Sequence, residues 1–159
     1  MRYSASKQIP LDVIVHRPWP FGKRVVLTNG CFDILHRGHV EYLEAASQLG
    51  DFLVVGVNSD DSVKALKGPN RPINSDVDRA RLIAALECVN AVTIFDDLRV
   101  TKLIHIVKPN VWVKGGDYNL QTLCKEEVEA ANQIKAEIRF IPMSHGYSTT
   151  TTISKLAVS

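Results

Sequence analysis

Two rhythms of apolar residues run along this 159-residue chain. One consists of short apolar runs, "RVVLT", "FLVVGV", "AVTIF", "VWVK" and "EIRFI", which read as strands. "FLVVGV" carries no polar alternation, as expected of a strand whose two faces are both covered in a parallel sheet. The other rhythm is helical. From Gly38 the apolar positions Val40, Leu43, Ala46 and Leu49 repeat at helical spacing until Gly50 stops them, and a short helix is expected over Ser62 to Leu66. Ser75 can cap a helix that carries Ala80, Leu82, Ile83 and Leu86. Further helices are expected from about Arg99 to Val107, ahead of Pro109, and from Glu126 to Ile134. "STTTTISKLA" closes the series as a helix opened by hydroxyl residues.

Strands that alternate with helices predict an α/β fold: a Rossmann-like, doubly wound parallel sheet of about five strands with helices on both faces, because parallel strands need right-handed crossovers. Residues 1–22 read as an irregular arm punctuated by Pro10, Pro18 and Pro20, in which only "LDVIV" has strand or short-helix character. The folded domain is expected to occupy residues 23–159. In such a sheet, ligands sit beyond the strand carboxyl ends, where the strand order switches. Four unusual segments fall at those ends: "TNGCFDILHRGH", "NSDD", "KGGDY" and "SHGYSTT".

Composition narrows the function classes. Hydrophobic residues make up 45% and charged residues 23%, the balance of a globular protein, and a formal charge of +2 is too small to wrap nucleic acid. Any cationic function is therefore local. Cys31, Cys88 and Cys124 are odd in number and scattered, which gives neither a disulfide framework nor the close pairs of a structural zinc site, so reduced thiols are expected. The first twenty residues hold no signal-peptide core, and no spanning segment follows. A cytoplasmic protein without membrane or nucleic-acid partners is the expectation.

The densest chemistry lies in "LTNGCFDILHRGHVEYL". His36 and His39 flank Gly38, and a helix starting there aims free backbone N–H groups and its positive dipole end at the space above the turn. Gly30 and Gly38 let backbone approach a phosphate closely, and two imidazoles can donate hydrogen bonds to oxygens that gain charge during phosphoryl or nucleotidyl transfer. A single histidine at a helix start is usually a surface residue or a cap. Two at this spacing beside "TNG" and "FD" favour an anion site.

"TNGCFDILHRGH" resembles the first signature of the HxGH nucleotidyltransferases, the superfamily of cytidylyltransferases, adenylyltransferases and, more distantly, class I aminoacyl-tRNA synthetases. The resemblance continues through "LGDFLVVGVNSDDSVKALKGPNRPINS", "DRARLIAALECV", "VKGGDY" and "GYSTTTTISKL", from Val25 to about Leu156. Within the superfamily, "LKGPNRPIN", "VKGGDY" and "GYSTT" look most like the heptose 1-phosphate adenylyltransferases. These enzymes join ATP and D-glycero-β-D-manno-heptose 1-phosphate into ADP-heptose and pyrophosphate, for the inner core of bacterial lipopolysaccharide. The resemblance implies ATP as co-substrate, Mg²⁺ held mainly by substrate phosphates, a sugar phosphate supplied by a separate sugar kinase, and a homodimer. No protein-bound metal site is implied.

Carried over residue by residue, the resemblance implies that Thr28, Asn29 and Gly30, with Phe32 and Gly38 beside them, meet the nucleotide phosphates, and that His36 and His39 act on the α- and β-phosphates. Asp33 matches the motif aspartate and either reacts or braces the loop. Lys67, or alternatively Lys64, lies in a loop whose lysines contact phosphate in relatives. Asn58 and Arg71 are candidates for the sugar phosphate. Arg79 matches an arginine that opens the helix after strand two, with a helix-surface ion pair as its alternative role. Lys114, Gly115, Gly116 and Asp117 follow strand four, where the family's loop meets base and ribose. Ser148, Thr149 and Thr150 resemble the second signature, whose hydroxyls cap a helix or donate to phosphate oxygen. The cytidylyltransferase version places an Arg-Thr pair where this chain has Met143 and Ser144, which leaves His145 as a substitute cation.

The implied reaction is direct attack of the sugar phosphate on the α-phosphorus of ATP, without a covalent intermediate. Its nearest rivals are a cytidylyltransferase for glycerol 3-phosphate or phosphoethanolamine and another small-molecule adenylyltransferase. A non-catalytic nucleotide sensor is a rival of a different class.

Overall fold

A computed structural model describes residues 4–16, 19–20, 22–116, 118–142 and 149–156. The five apolar runs become strands β1 (Val25–Gly30), β2 (Phe52–Asn58), β3 (Ala91–Phe95), β4 (Val111–Gly115) and β5 (Glu137–Ile141). They form one all-parallel sheet in the order β3-β2-β1-β4-β5. The helices are α1 (Ser4–Lys7), α2 (Leu11–Ile14), α3 (Arg37–Ser47), α4 (Asp60–Lys67), α5 (Asp76–Ala85), α6 (Thr101–Val107), α7 (Lys125–Gln133) and α8 (Thr149–Leu156). No described helix is long and apolar enough to cross a membrane.

Alternation along the strands divides the core between the two faces of the sheet. Leu27, Val54 and Trp112 pack with Leu103, Ile104 and Ala131 of α6 and α7. Val26, Val55 and Val113 pack with Leu43, Ala46 and Ile83 of α3 and α5. Every residue of β2 is buried, which explains its lack of polar alternation. Ser59 and Ser75 start α4 and α5, each hydroxyl accepting an N–H from the third residue beyond it. Lys108, left-handed at φ 47°, ends α6 as the Pro109 stop predicts.

The chain winds outward from β1 to β3 and then returns to lay β4 on the other side of β1, so the order reverses between β1 and β4. In register, Thr28 pairs with Val113, which puts Asn29 and Lys114 together at the mouth of that crevice.

Described residues of the amino-terminal arm pack against the sheet and α6. Ile9 and Ile14 are 6% and 1% exposed and join the core on the α6 side. The Ile9 N–H donates to the Val92 carbonyl at 2.8 Å, and the Trp19 Nε1–H donates to the Val107 carbonyl at 2.8 Å. Lys7 reaches the Leu86 carbonyl at 2.8 Å. Prolines interrupt every periodicity in this stretch, so its apolar residues dock one at a time on β3 and α6 and leave no pattern to read.

Candidate functional site

A cleft of ≈ 560 Å³ opens above the carboxyl ends of β1 and β4, and the two histidines form one side of it. His36 is the N-cap of α3, whose first residue, Arg37, comes one before the expected start at Gly38. Its Nδ1 accepts the backbone N–H of His39, while Nδ1 of His39 accepts the backbone N–H of His36, both at 3.4 Å. This reciprocal capping box stacks the rings with centroids 3.7 Å apart and an interplanar angle of 16°. A ring nitrogen that accepts carries no proton, so each neutral imidazole has its proton on Nε2 and is a donor there. Burial holds His36 below its ordinary pKa. Burial first, and the neighbouring His36 second, push His39 down to about 4. Near neutral pH the pair is an uncharged double donor, suited to oxygen atoms that gain negative charge.

Tight packing fixes that pair. Phe32, left-handed at φ 47°, sets its ring edge against His39 with centroids 5.3 Å apart. Gly30 makes room for the same ring, since a Cβ there would lie 3.1 Å from Phe32 Cε2. Tyr42, one turn further along α3, buries its hydroxyl 2.5 Å from Thr28 Oγ1 and 3.3 Å from the Val113 carbonyl. Its ring fills the space where a Cβ on Gly115 would stand, 2.7 Å from Cε2, so this glycine is required by close approach. Burial raises the Tyr42 phenol well above its usual pKa and keeps it protonated.

Thr28, Gly38 and Arg79, three of the expected site residues, are buried. Thr28 is 0% exposed and spends its hydroxyl on Tyr42 and the Val113 carbonyl, so it ties α3 to β4. Gly38 is buried in the first turn of α3. Arg79 is 0% exposed, and its guanidinium donates to the carbonyls of Asn74 (3.0 Å) and Cys31 (2.5 Å) and to Asp60 Oδ1 (2.9 Å). Its three partners make it a clamp between α5, the β1 turn and the start of α4.

Asp33 takes the bracing role. It is 2% exposed and accepts Arg71 Nε at 2.6 Å and the backbone N–H groups of Ile73 at 2.8 Å and Asn74 at 3.0 Å. Burial alone would raise its pKa, but the Asn74 amide, the Arg71 guanidinium and the Ile73 amide together hold it below the ordinary carboxylate range. The loop over residues 68–75 is thereby folded back on the β1 turn, and Arg71 is brought to the lining of the cleft.

Asn29, Gly30, Asn58, Lys67, Lys114, Gly115, Thr149 and Thr150 also line the cleft. The Asn29 side-chain Oδ1 accepts Trp112 Nε1–H at 3.4 Å, while Asn58 donates its amide nitrogen to Ser62 Oγ at 2.8 Å. Lys64 instead pairs with Asp61 at 3.8 Å on the outside of α4. Asp117, Met143, Ser144, His145 and Ser148 lie outside the described residues. Sequence reasoning missed Tyr42, Arg99, Tyr118 and Glu127, all of which reach the cleft. Tyr42, six residues after His36 on the same helix, was the one with a readable signal.

Lys67, Arg71 and Lys114 thus line one cleft with a neutral double donor at a switch point, an arrangement chemically suited to a polyphosphate. Residues 27–155 match the family model described as Cytidylyltransferase-like. The bifunctional protein HldE of a Nitratiruptor species is 53% identical over 135 residues, which are 85% of this chain and 28% of that protein. HldE of Citrifermentans bemidjiense is 45% identical over 159 residues, 98% of this chain and 32% of the relative. The chain therefore spans less than a third of the length of these relatives. A lipopolysaccharide core biosynthesis protein from Thermoplasma volcanium superposes with a TM-score of 0.63 at 31% identity, covering 77% of this chain and 98% of the other. A pantoate-beta-alanine ligase from Francisella tularensis superposes with a TM-score of 0.57, covering 87% of this chain and 67% of that one, but at 14% identity it shares the fold alone.

Proposed function

We propose, for a chain that belongs to the cytidylyltransferase-like family of nucleotidyltransferases, that it transfers AMP from ATP to a heptose 1-phosphate and releases pyrophosphate and ADP-heptose. The observation that carries the chemistry is the stacked pair His36 and His39, whose reciprocal caps leave both protons on Nε2. The acceptor rests on the resemblance of "LKGPNRPIN", "VKGGDY" and "GYSTT" to heptose 1-phosphate adenylyltransferases. The likeness to a lipopolysaccharide core biosynthesis protein supports it.

In this reading an oxygen of the sugar phosphate attacks the α-phosphorus of ATP in line. A new P–O bond forms, the bond to the bridging oxygen breaks, and pyrophosphate leaves with the electron pair. The attacking oxygen is already ionised near neutral pH, so no general base is required. The two Nε2–H groups donate to α- and β-phosphate oxygens as charge moves onto the leaving group. Lys67 and Arg71 hold the acceptor phosphate in line, and Thr149 and Thr150 at the start of α8, which also line the cleft, offer hydroxyls to the nucleotide.

In this reading Mg²⁺ would be held mainly by the phosphates of the nucleotide. Among the described residues no group of three or more His, Cys, Asp or Glu side chains is placed to hold a metal ion, and Asp33 is committed to the loop. A sugar kinase is the partner this reading requires, on the same polypeptide or a separate one. A second copy of the chain is the proposed oligomeric partner.

Pyrophosphate release from ATP and CTP, each with heptose 1-phosphate, glycerol 3-phosphate and flavin mononucleotide, tests class, base and acceptor together. Turnover is expected with ATP and heptose 1-phosphate. Release from CTP with glycerol 3-phosphate would reassign the enzyme within its family, and ATP binding without turnover on any acceptor would make it a sensor.

A further inference from the structure

Glu127 is a carboxylate only 5% exposed, in the first turn of α7, and it faces the cleft from the side opposite the histidines. One of its oxygens accepts the backbone N–H of Val100 at 3.3 Å, just ahead of α6. The other lies 4.0 Å from Lys114 Nζ. The Lys114 side chain is itself only 13% exposed, and its ammonium sits over the rings of Trp112, 5.5 Å from the centroid, and Tyr118, 5.2 Å from the centroid. Aromatic faces stabilise a cation without accepting its N–H groups in conventional bonds, and 4.0 Å exceeds hydrogen-bond length. Among the described residues the three ammonium donors therefore have charge compensation but no acceptor. A nearly buried cation in that condition is poised for an oxygen supplied from the cleft.

We propose that Glu127 is a positioning residue that holds the Lys114 ammonium at the switch point between β1 and β4, where it takes a phosphate oxygen of the nucleotide. The β1–β4 register puts Lys114 beside Asn29 at the crevice, with its ammonium on the Trp112 and α7 face of the sheet, whereas Lys67 and Arg71 approach from the end of α4 and the loop after it and are left for the acceptor. By bonding the Val100 amide as well, Glu127 fixes α7, the start of α6 and the end of β4 to one another at the nucleotide's edge of the site. The assignment rests on the nucleotidyl-transfer reading above.

Burial lowers the pKa of Lys114, and Glu127 opposes it. Arg99, from the loop before α6, lowers it further; Cys124, at the start of α7, and Cys31, after β1, raise it when ionised. Removing the carboxylate leaves burial and Arg99 with less opposition, so the ammonium loses its proton at a lower pH.

The test is made in the full chain with Glu127→Gln and Glu127→Asp. The Lys114 side-chain carbon resonance, assigned with Lys114→Met, is followed against pH, and ATP affinity is measured by calorimetry. In Glu127→Gln the Lys114 midpoint is expected to fall by about 1 pH unit or more. ATP affinity is expected to fall about tenfold, with the alkaline limb of kcat/KM for ATP moving to lower pH and Glu127→Asp recovering part of each loss. A Lys114 midpoint unmoved in the variant overturns the proposal, and so does a rise in acceptor KM with ATP affinity intact. If Glu127→Gln does not fold, Glu127→Asp is read by the same criteria. Titration and ATP affinity need no turnover, so an inactive wild-type chain would defeat the heptose reading while this pair is still decided.

Discussion

A histidine whose Nδ1 accepts a backbone N–H has one proton to offer, and its direction is set by the helix it caps. His39→Ala removes such a donor and also uncaps His36, so kcat for pyrophosphate release is expected to fall on the order of a hundredfold or more; near-normal turnover would rule out the donor role. The depressed pKa of His39 also predicts a pH dependence of stability. The unfolded chain takes up a proton near pH 6.5 that the folded state refuses until about 4. The contribution is therefore complete above 6.5 and lost as pH falls toward 4. Denaturant midpoints should decline across that window in the wild type and decline less in His39→Ala. The histidines were legible in sequence because their types and spacing carry the chemistry. The burial of Thr28 and Arg79 was not legible, because it is decided by Tyr42 and by the Asn74 and Cys31 carbonyls, which no local pattern reports.

Among the elements, the loop between α4 and α5 shows the same limit. Gly68, Pro69 and Pro72 mark it as a loop, and Ser75 marks where the next helix begins. Nothing local shows that it doubles back onto Asp33, some 40 residues earlier in the chain. Asp33→Asn keeps the shape but replaces an acceptor by an amide NH₂ facing donors, and it leaves the Arg71 guanidinium uncompensated. A loss of about 2–4 kcal/mol in denaturant unfolding is expected. Because Arg71 then leaves its place, the KM for the acceptor should rise more than that for ATP. Equal rises would show a general collapse of the cleft in place of a loop released from its anchor. Helix starts were readable to within a residue or two, as at α3, because caps and periodicity are local signals.

At the scale of the whole molecule, the sheet was legible because strands separated by helices can join only as parallel neighbours. The arm was not, since Ile9 and Ile14 have no periodic neighbours and draw their value from surfaces formed far along the chain. Ile14→Ala is expected to cost about 2–5 kcal/mol, the cost of a core truncation and well beyond that of a change in a loose tail; a denaturation midpoint within error of wild type would return the arm to the periphery. β3 lies at one margin of the sheet, and Gln8 and Ile9 lie along it at Val92. A free margin is a template on which foreign strands or fibrils can grow. By occupying that template, the arm limits edge-to-edge growth at β3, so trimming it would expose the chain to aggregation before it cost the cleft a single side chain.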